Sequence, residues 1–246
     1  MKILLQLTTM LLVSCQTSMT ENIKTQTDSV VSANNGTIEE LVIDTILERN
    51  NPKNLDLNNH QLFIDTTRNS IFYQEILNWK PNDFDSSGVN YYLSEISRDY
   101  KLKPLNIENF PKIWITLEKL NNKFVVYYSC DGITPRFEIA DKSLNFYAVE
   151  PDVDALSKVV ENSKDRIKIE LRTIEQKSQS KKALLTIRKT KYRDVYLLSI
   201  QYDTWEMQKI VTPVEKIANF DMVVNYCNKV KILEYNRFDE TNYKEY

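Results

Sequence analysis

The sequence predicts an α+β fold, a helical N-terminal lead-in followed by an antiparallel β-sheet with helices packed on one face. Three observations carry that expectation. Apolar residues recur at helical spacing before residue 107, and from Lys112 onward the apolar residues alternate or run on in stretches rich in Ile, Val, Tyr and Phe. Two proline-led segments, at Pro151 and Pro213, open as helices do. With 42% hydrophobic and 11% aromatic residues, the chain has the material for a sizeable core. Segments 37–107 and 108–246 therefore read as parts of one globular unit.

The lead-in holds three expected helices. Thr37 stands three residues before Glu40, as in a capping box, with Ile38, Leu41, Val42, Thr45 and Ile46 following at helical spacing until about Glu48. A second helix is expected over 69–79, with Phe72, Ile76 and Trp79 on one face and Pro81 ending it. A third is expected over 91–100, with Leu93, Ile96 and Tyr100 inward. Strands at 113–118 and 124–129 flank Asn121-Asn122, a pair able to adopt the left-handed conformations of a tight hairpin. A second hairpin, 136–140 with 144–149, surrounds Asp141-Lys142-Ser143. Pro151-Asp152 then predicts an amphipathic helix with Val153, Leu156, Val159 and Val160 inward.

Four further strands are expected, at 167–174, 183–190, 195–202 and 205–211. The third carries Tyr196, Leu198, Ile200 and Tyr202 on one face. Thr212-Pro213-Val214-Glu215 combines an N-cap, a first-turn proline and a capping-box glutamate, which predicts a helix through Ile217, Phe220, Val224 and Cys227. The competing reading is a strand over 222–227, because Val223 and Val224 are β-branched. A strand over 230–235 and a polar tail complete the expectation.

The N-terminus is an address. Lys2 precedes an apolar run, Ile3 to Val13, that is too short to cross a bilayer as a helix, which takes about 20 residues, and suits a signal peptide. Leu12-Val13-Ser14-Cys15 resembles the lipobox of bacterial lipoproteins. That resemblance covers the leader only and implies that residues 1–15 are the signal peptide. It also implies that Cys15 receives diacylglycerol and an acyl chain such as palmitate, and that the protein is exported and membrane-anchored. In that family an aspartate just after the cysteine favours retention at the inner membrane; Gln16 and Thr17 stand there instead, which implies the outer membrane, facing the periplasm or the cell surface. Residues 16–36, rich in Ser, Thr, Asn and Gln, read as a disordered tether.

Composition excludes several chemistries. Lys and Arg total 32 against 34 Asp and Glu, a balance that does not call for nucleic acid. The three glycines, Gly36, Gly88 and Gly132, are too scattered for a phosphate-cradling loop, so no nucleotide site and no cofactor is expected. The one histidine, His60, sits in a polar Asn58-Asn59-His60-Gln61 setting and reads as a solvated turn residue. Cys130 and Cys227 remain once Cys15 is lipidated; they either form a disulfide suited to an oxidising compartment or stay as two buried thiols.

Four groups of residues are candidates for function. Asp83, Asp85 and Ser87, followed by Gly88, resemble the opening of an EF-hand calcium loop, although Ser94 stands where that family places its glutamate; a capped helix start accounts for the same letters. Glu150, Asp152 and Asp154 could pair for acid/base work, or could favour a helix N-terminus. Lys181, Lys182, Lys189, Lys191 and Arg193 belong to the densest basic stretch, which suits an anionic partner or a protected strand edge. Tyr91-Tyr92 and Tyr127-Tyr128 could present aromatic contacts. These readings point away from an enzyme and toward a membrane-anchored lipoprotein that acts as a protein-binding module of the cell envelope. A glycan- or lipid-binding lipoprotein, or a glycan hydrolase using two carboxylates, is the alternative.

Overall fold

The computed structural model describes residues 47–49, 58–108, 110–130, 133–228 and 234–246. The leader with Cys15, the tether over 16–36 and most of the helix expected from Thr37 lie outside these residues. Where that helix was expected to end, Leu47–Arg49 forms a short strand, β1. The other elements are β2 (Gln61–Asp65), α1 (Ile71–Asn78), α2 (Asp83–Ser97), β3 (Ile113–Leu120), β4 (Lys123–Tyr128), β5 (Arg136–Ile139) and β6 (Ser143–Tyr147). They continue with β7 (Asp152–Asn162), β8 (Arg166–Arg172), β9 (Lys182–Lys189), β10 (Tyr196–Gln201), β11 (Glu206–Pro213) and β12 (Asp221–Tyr226).

The expected open sheet with helices on one face is not what forms. Eight antiparallel strands close into a barrel in the order β3-β11-β10-β9-β8-β7-β6-β5, and β5 returns to β3. Trp114 marks the seam, opposite Phe137 of β5 on one side and Pro213 of β11 on the other. Alternate residues such as Ile167, Ile169 and Leu171 of β8, Leu185 and Ile187 of β9, and Leu198 and Ile200 of β10 join Trp114, Phe137 and Leu156 in one buried cluster. Eight strands leave an interior just wide enough for such side chains, so the barrel is closed by packing.

Two expected helices are strands, each for a physical reason. β7 carries register shifts between Leu156 and Lys158 and between Val159 and Glu161, which break strict alternation and give its apolar residues a helix-like spacing. Its first residues are also covered on both sides, by the barrel interior and by α2. After Pro213 the chain makes a 3-10 turn over Val214–Asn219 and then extends as β12, as the β-branched Val223-Val224 favour. α2 begins at Asp83, earlier than the expected helix over 91–100.

β3 belongs to two sheets. Its first half, Ile113–Thr116, lies between β5 and β11, while Leu117–Leu120 pairs with β4, from which β12, β2 and β1 extend an outer sheet. β12 runs parallel to β4, and β2, which the sequence reading missed, runs antiparallel to β12. α1 covers one face of this sheet through Phe72, Tyr73 and Ile76, with the Tyr73 hydroxyl donating to the Phe220 carbonyl at 2.7 Å. The expected polar tail instead packs: Tyr235 and Phe238 lie on Val125 and Val223 across the other face. The strand expected over 230–235 is not seen at Glu234 and Tyr235, and residues 230–233 lie outside those described. The Asn121-Asn122 turn forms as its letters suggest, both residues at positive φ, and the Asp239 carboxylate accepts both backbone N–H groups at 3.2 and 2.7 Å.

Candidate binding site at one end of the barrel

Antiparallel order brings the start of β7, the end of β8, the start of β9 and the β10–β11 turn to one end of the barrel, where α2 also lies. The long connection from β8 to β9, residues 173–181, folds over this end and is pinned at three points. Lys177 reaches inward, its Nζ 2.5 Å from Asp152 Oδ1 and 2.8 Å from Asp154 Oδ1, and donates to the Val153 carbonyl at 3.2 Å. The Trp205 indole N–H donates to the Lys177 carbonyl at 3.1 Å, and the Asp203 carboxylate accepts from the Ser180 N–H and hydroxyl at 2.7 and 2.6 Å. Lys181, at positive φ, pairs with Asp99 at the end of α2 at 2.6 Å. Their mutual hydrogen bond holds the Asp99 carboxyl below its usual range and the Lys181 ammonium above it.

Beneath these ties lies a buried polar group. Tyr202 donates to Asp154 Oδ2 at 2.8 Å, and Asp154 is 2% exposed. Burial first, and the Asp154 charge second, push the Tyr202 hydroxyl far above its normal range. Trp205 stacks on the Tyr202 ring with centroids 4.2 Å apart and remains 43% exposed. The aspartates singled out in the sequence therefore meet one lysine and one tyrosine, and serve to hold the loop. Glu150 takes no part in the group.

Beside the loop is a cavity of about 360 Å³ lined by the last turn of α2, by Arg172, Thr173 and Ile174, and by Glu175, Gln176, Ser180 and Lys181. Neither Asp152 nor Asp154 lines it. Its floor is ordered: Tyr100 donates to Ser157 Oγ at 3.2 Å, and the Arg172 guanidinium lies over the Tyr100 ring at 5.1 Å. α2 can sit this close because Gly88 has no side chain; a Cβ there would lie 2.3 Å from Pro151 Cγ.

The basic stretch is divided. Lys181 and Lys182 stand where β9 begins and Lys189, Lys191 and Arg193 where it ends, eight residues or roughly 25 Å apart in an extended strand. Lys189 approaches Asp165 at 3.9 Å, Arg193 approaches its neighbour Asp194 at 3.4 Å, and Lys191 lies over the Tyr192 ring. No single face unites the five. The calcium reading fails on geometry, because Asp83, Asp85 and Ser87 are in the first turn of α2. Asn82 accepts from the Asp85 N–H at 2.9 Å and Asp85 accepts from the Asn82 N–H at 3.0 Å, a capping box that commits one Asp85 oxygen to the helix start. Among the described residues no group of three or more His, Cys, Asp and Glu side chains is placed to hold a metal.

Cys130 and Cys227 are joined, their Cα atoms 5.0 Å apart. Beside them runs a network the sequence did not reveal. His60 Nε2 lies 2.7 Å from Asn225 Oδ1, and Asn225 donates to the Tyr127 hydroxyl at 3.0 Å. Tyr127 in turn donates to Glu234 at 2.5 Å. His60, read from its neighbours as solvated, is thus half-buried and partnered across the sheet, a contact that only the non-local β2–β12 pairing creates. Tyr127 and Tyr128 are likewise ties, Tyr128 donating to Glu75 at 2.5 Å, whereas Tyr91 is exposed against Tyr92. Arg136 is buried under Trp79 with its guanidinium donating to the Ile76 and Thr134 carbonyls; burial lowers it to about 10, so it stays charged at neutral pH.

Among the described residues no helix is long and apolar enough to cross a membrane. No protein-family model, curated protein or solved structure matches the chain.

Proposed function

We propose that this chain is an exported, lipid-anchored, non-enzymatic module of the cell envelope. It docks a protein partner from outside the barrel, at the end formed by residues 173–181, the last turn of α2 and Trp205. The observation that carries the reading is the contrast at that end. The barrel interior is filled by its own side chains, while the outer cavity beside Arg172 is open and its loop is pinned in place before any partner arrives. Prepaid ordering of this kind favours binding. The acids at this end are paired with cations, Asp152 and Asp154 with Lys177, Glu95 with Arg98, and Asp99 and Glu175 with Lys181, which weighs against hydrolysis by a carboxylate pair.

Affinity purification of the anchored chain from its own envelope, at low and high salt, tests the reading. A protein partner recovered at low salt and lost from an Arg172→Gln, Trp205→Ala variant supports it; recovery unaffected by that variant overturns the site, and no protein partner at either salt overturns the function. In the same cells Cys15→Ser should move the protein into a soluble fraction; unchanged detergent partitioning would end the lipoprotein reading. Glycan capture is the second reading, favoured by Trp205, an exposed ring already stacked on Tyr202 as sugar-binding aromatics often are.

A further inference from the structure

We infer that the cavity beside Arg172 receives a single carboxylate from the docked protein, either an acidic side chain or a chain terminus. This rests on the docking reading above and names the group recognised. The inference starts from which cations in the cavity are already satisfied. Arg98 pairs with Glu95 at 2.7 Å, and Lys181 pairs with Asp99 at 2.6 Å and Glu175 at 3.8 Å. Arg172, in the same wall, has no carboxylate and no hydrogen-bond acceptor among the described residues; its one contact of note is the Tyr100 ring beneath it. The neighbouring Thr173 hydroxyl is also without a partner, on a residue only 2% exposed. A half-buried guanidinium without an anion is the unmet charge of this wall, and one oxyanion satisfies it.

Geometry and charge narrow the class. A guanidinium carries its donors in one plane, the arrangement that grips a carboxylate through two parallel hydrogen bonds. Glu95, Asp99 and Glu175 in the cavity wall are paired with Arg98 and Lys181, which leaves Arg172 as a single positive charge to match; a second negative charge on the ligand would find no cation and would only add repulsion from the acids. Arg136, buried, shows the contrast: two carbonyls accept from its guanidinium and the Trp79 ring covers it.

The test is a titration of the full-length chain followed by the ¹⁵N resonances of the Arg172 Nε–H and of the amides at 172–181. N-acetylglycine is the probe for a protein carboxylate, N-acetylglycinamide its uncharged twin, inorganic phosphate the dianion and glucuronate the sugar acid. N-acetylglycine should shift these signals saturably in the millimolar range, as a lone charged group does, and the amide should not. Arg172→Gln should abolish the shift, while Arg172→Lys, which keeps the charge without the fork, should weaken binding by about tenfold. Equal responses to N-acetylglycine and its amide, a shift surviving in Arg172→Gln, or phosphate binding as tightly as N-acetylglycine would overturn the inference. A preference for glucuronate would move the carboxylate from a protein to a sugar. A partner still captured when N-acetylglycine fails would leave the docking reading standing and remove only the carboxylate.

Discussion

The barrel and the outer sheet share β3 yet are held by different means. Each of the eight barrel strands is paired on both edges, and its apolar interior runs unbroken from seam to seam. The outer sheet ends in β1, which pairs with β2 alone among the described residues, and it carries the molecule's disulfide, the His60–Asn225–Tyr127–Glu234 network and the strapping tail. Closure removes the open edge that an unclosed sheet must otherwise tie down. In the barrel, the buried tie of Lys177 to Asp152 and Asp154 lies at the end where the long loop must be held.

Breaking one tie in each region separates the two modes of support. The largest effect is expected from Lys177→Met, which strips the cation from between Asp152 and Asp154 and leaves a buried charge uncompensated, at a cost of about 3–5 kcal/mol. Urea denaturation measures it, and adding Asp154→Asn should recover part of the loss; a change below about 1 kcal/mol would mean that Trp205 and Asp203 hold the loop without the lysine. Next comes Cys130→Ser with Cys227→Ser, which opens a closure of 97 residues and should cost about 2–4 kcal/mol. Hydrogen exchange should then rise in β12 and β2 while β8 and β9 keep their protection, and a uniform rise would show that the two regions open as one unit.

Gly88→Ala sharpens the comparison at the contact of α2 with the barrel. A Cβ 2.3 Å from Pro151 Cγ must displace the helix or the proline, at about 1–3 kcal/mol despite the better helix propensity of alanine, read as a fall in the thermal midpoint. The smallest effect lies in the alkaline limb of stability. Tyr202 is held protonated well above the range at which it ionises in the unfolded chain, so above pH 10 the unfolded state binds fewer protons and stability falls as pH rises. Tyr202→Phe should make that fall shallower by about 1.4 kcal/mol per pH unit. An unchanged alkaline slope would mean that the fold does not hold Tyr202 protonated against Asp154.

What could be read from the sequence was local. β8 announces itself because Ile167, Ile169 and Leu171 alternate with charged neighbours, and β9 and β10 repeat the two-residue spacing at Leu185 and Ile187 and at Leu198 and Ile200; one buried face is all that such a pattern encodes. β7 was hidden by its own bulges, which give Val153, Leu156, Val159 and Val160 the three- and four-residue spacing of a helix. β12 was hidden by a proline and glutamate that serve a 3-10 turn. The start of α2 was hidden because Asp83, Ser86, Ser87 and Gly88 are poor helix formers, tolerated there for a cap and for close approach to Pro151. Closure itself rests on Thr116 facing Val211, and the candidate site on Arg172 failing to find a carboxylate; neither leaves a mark on neighbouring letters.

The pairing of β2 with β12 also sets a clock. Phe63 lies opposite Val224, so β2 must wait until about 160 further residues have been made before its neighbour exists. At about 5–20 residues per second that delay is roughly 8–30 s, far longer than a hairpin such as β8–β9 needs to form. Barrel strands β5 to β11 can pair with their sequence neighbours in the order of synthesis, whereas closure on β3 waits for β11 and the outer sheet for β12. For that interval β2 stands on the growing chain without its β12 partner.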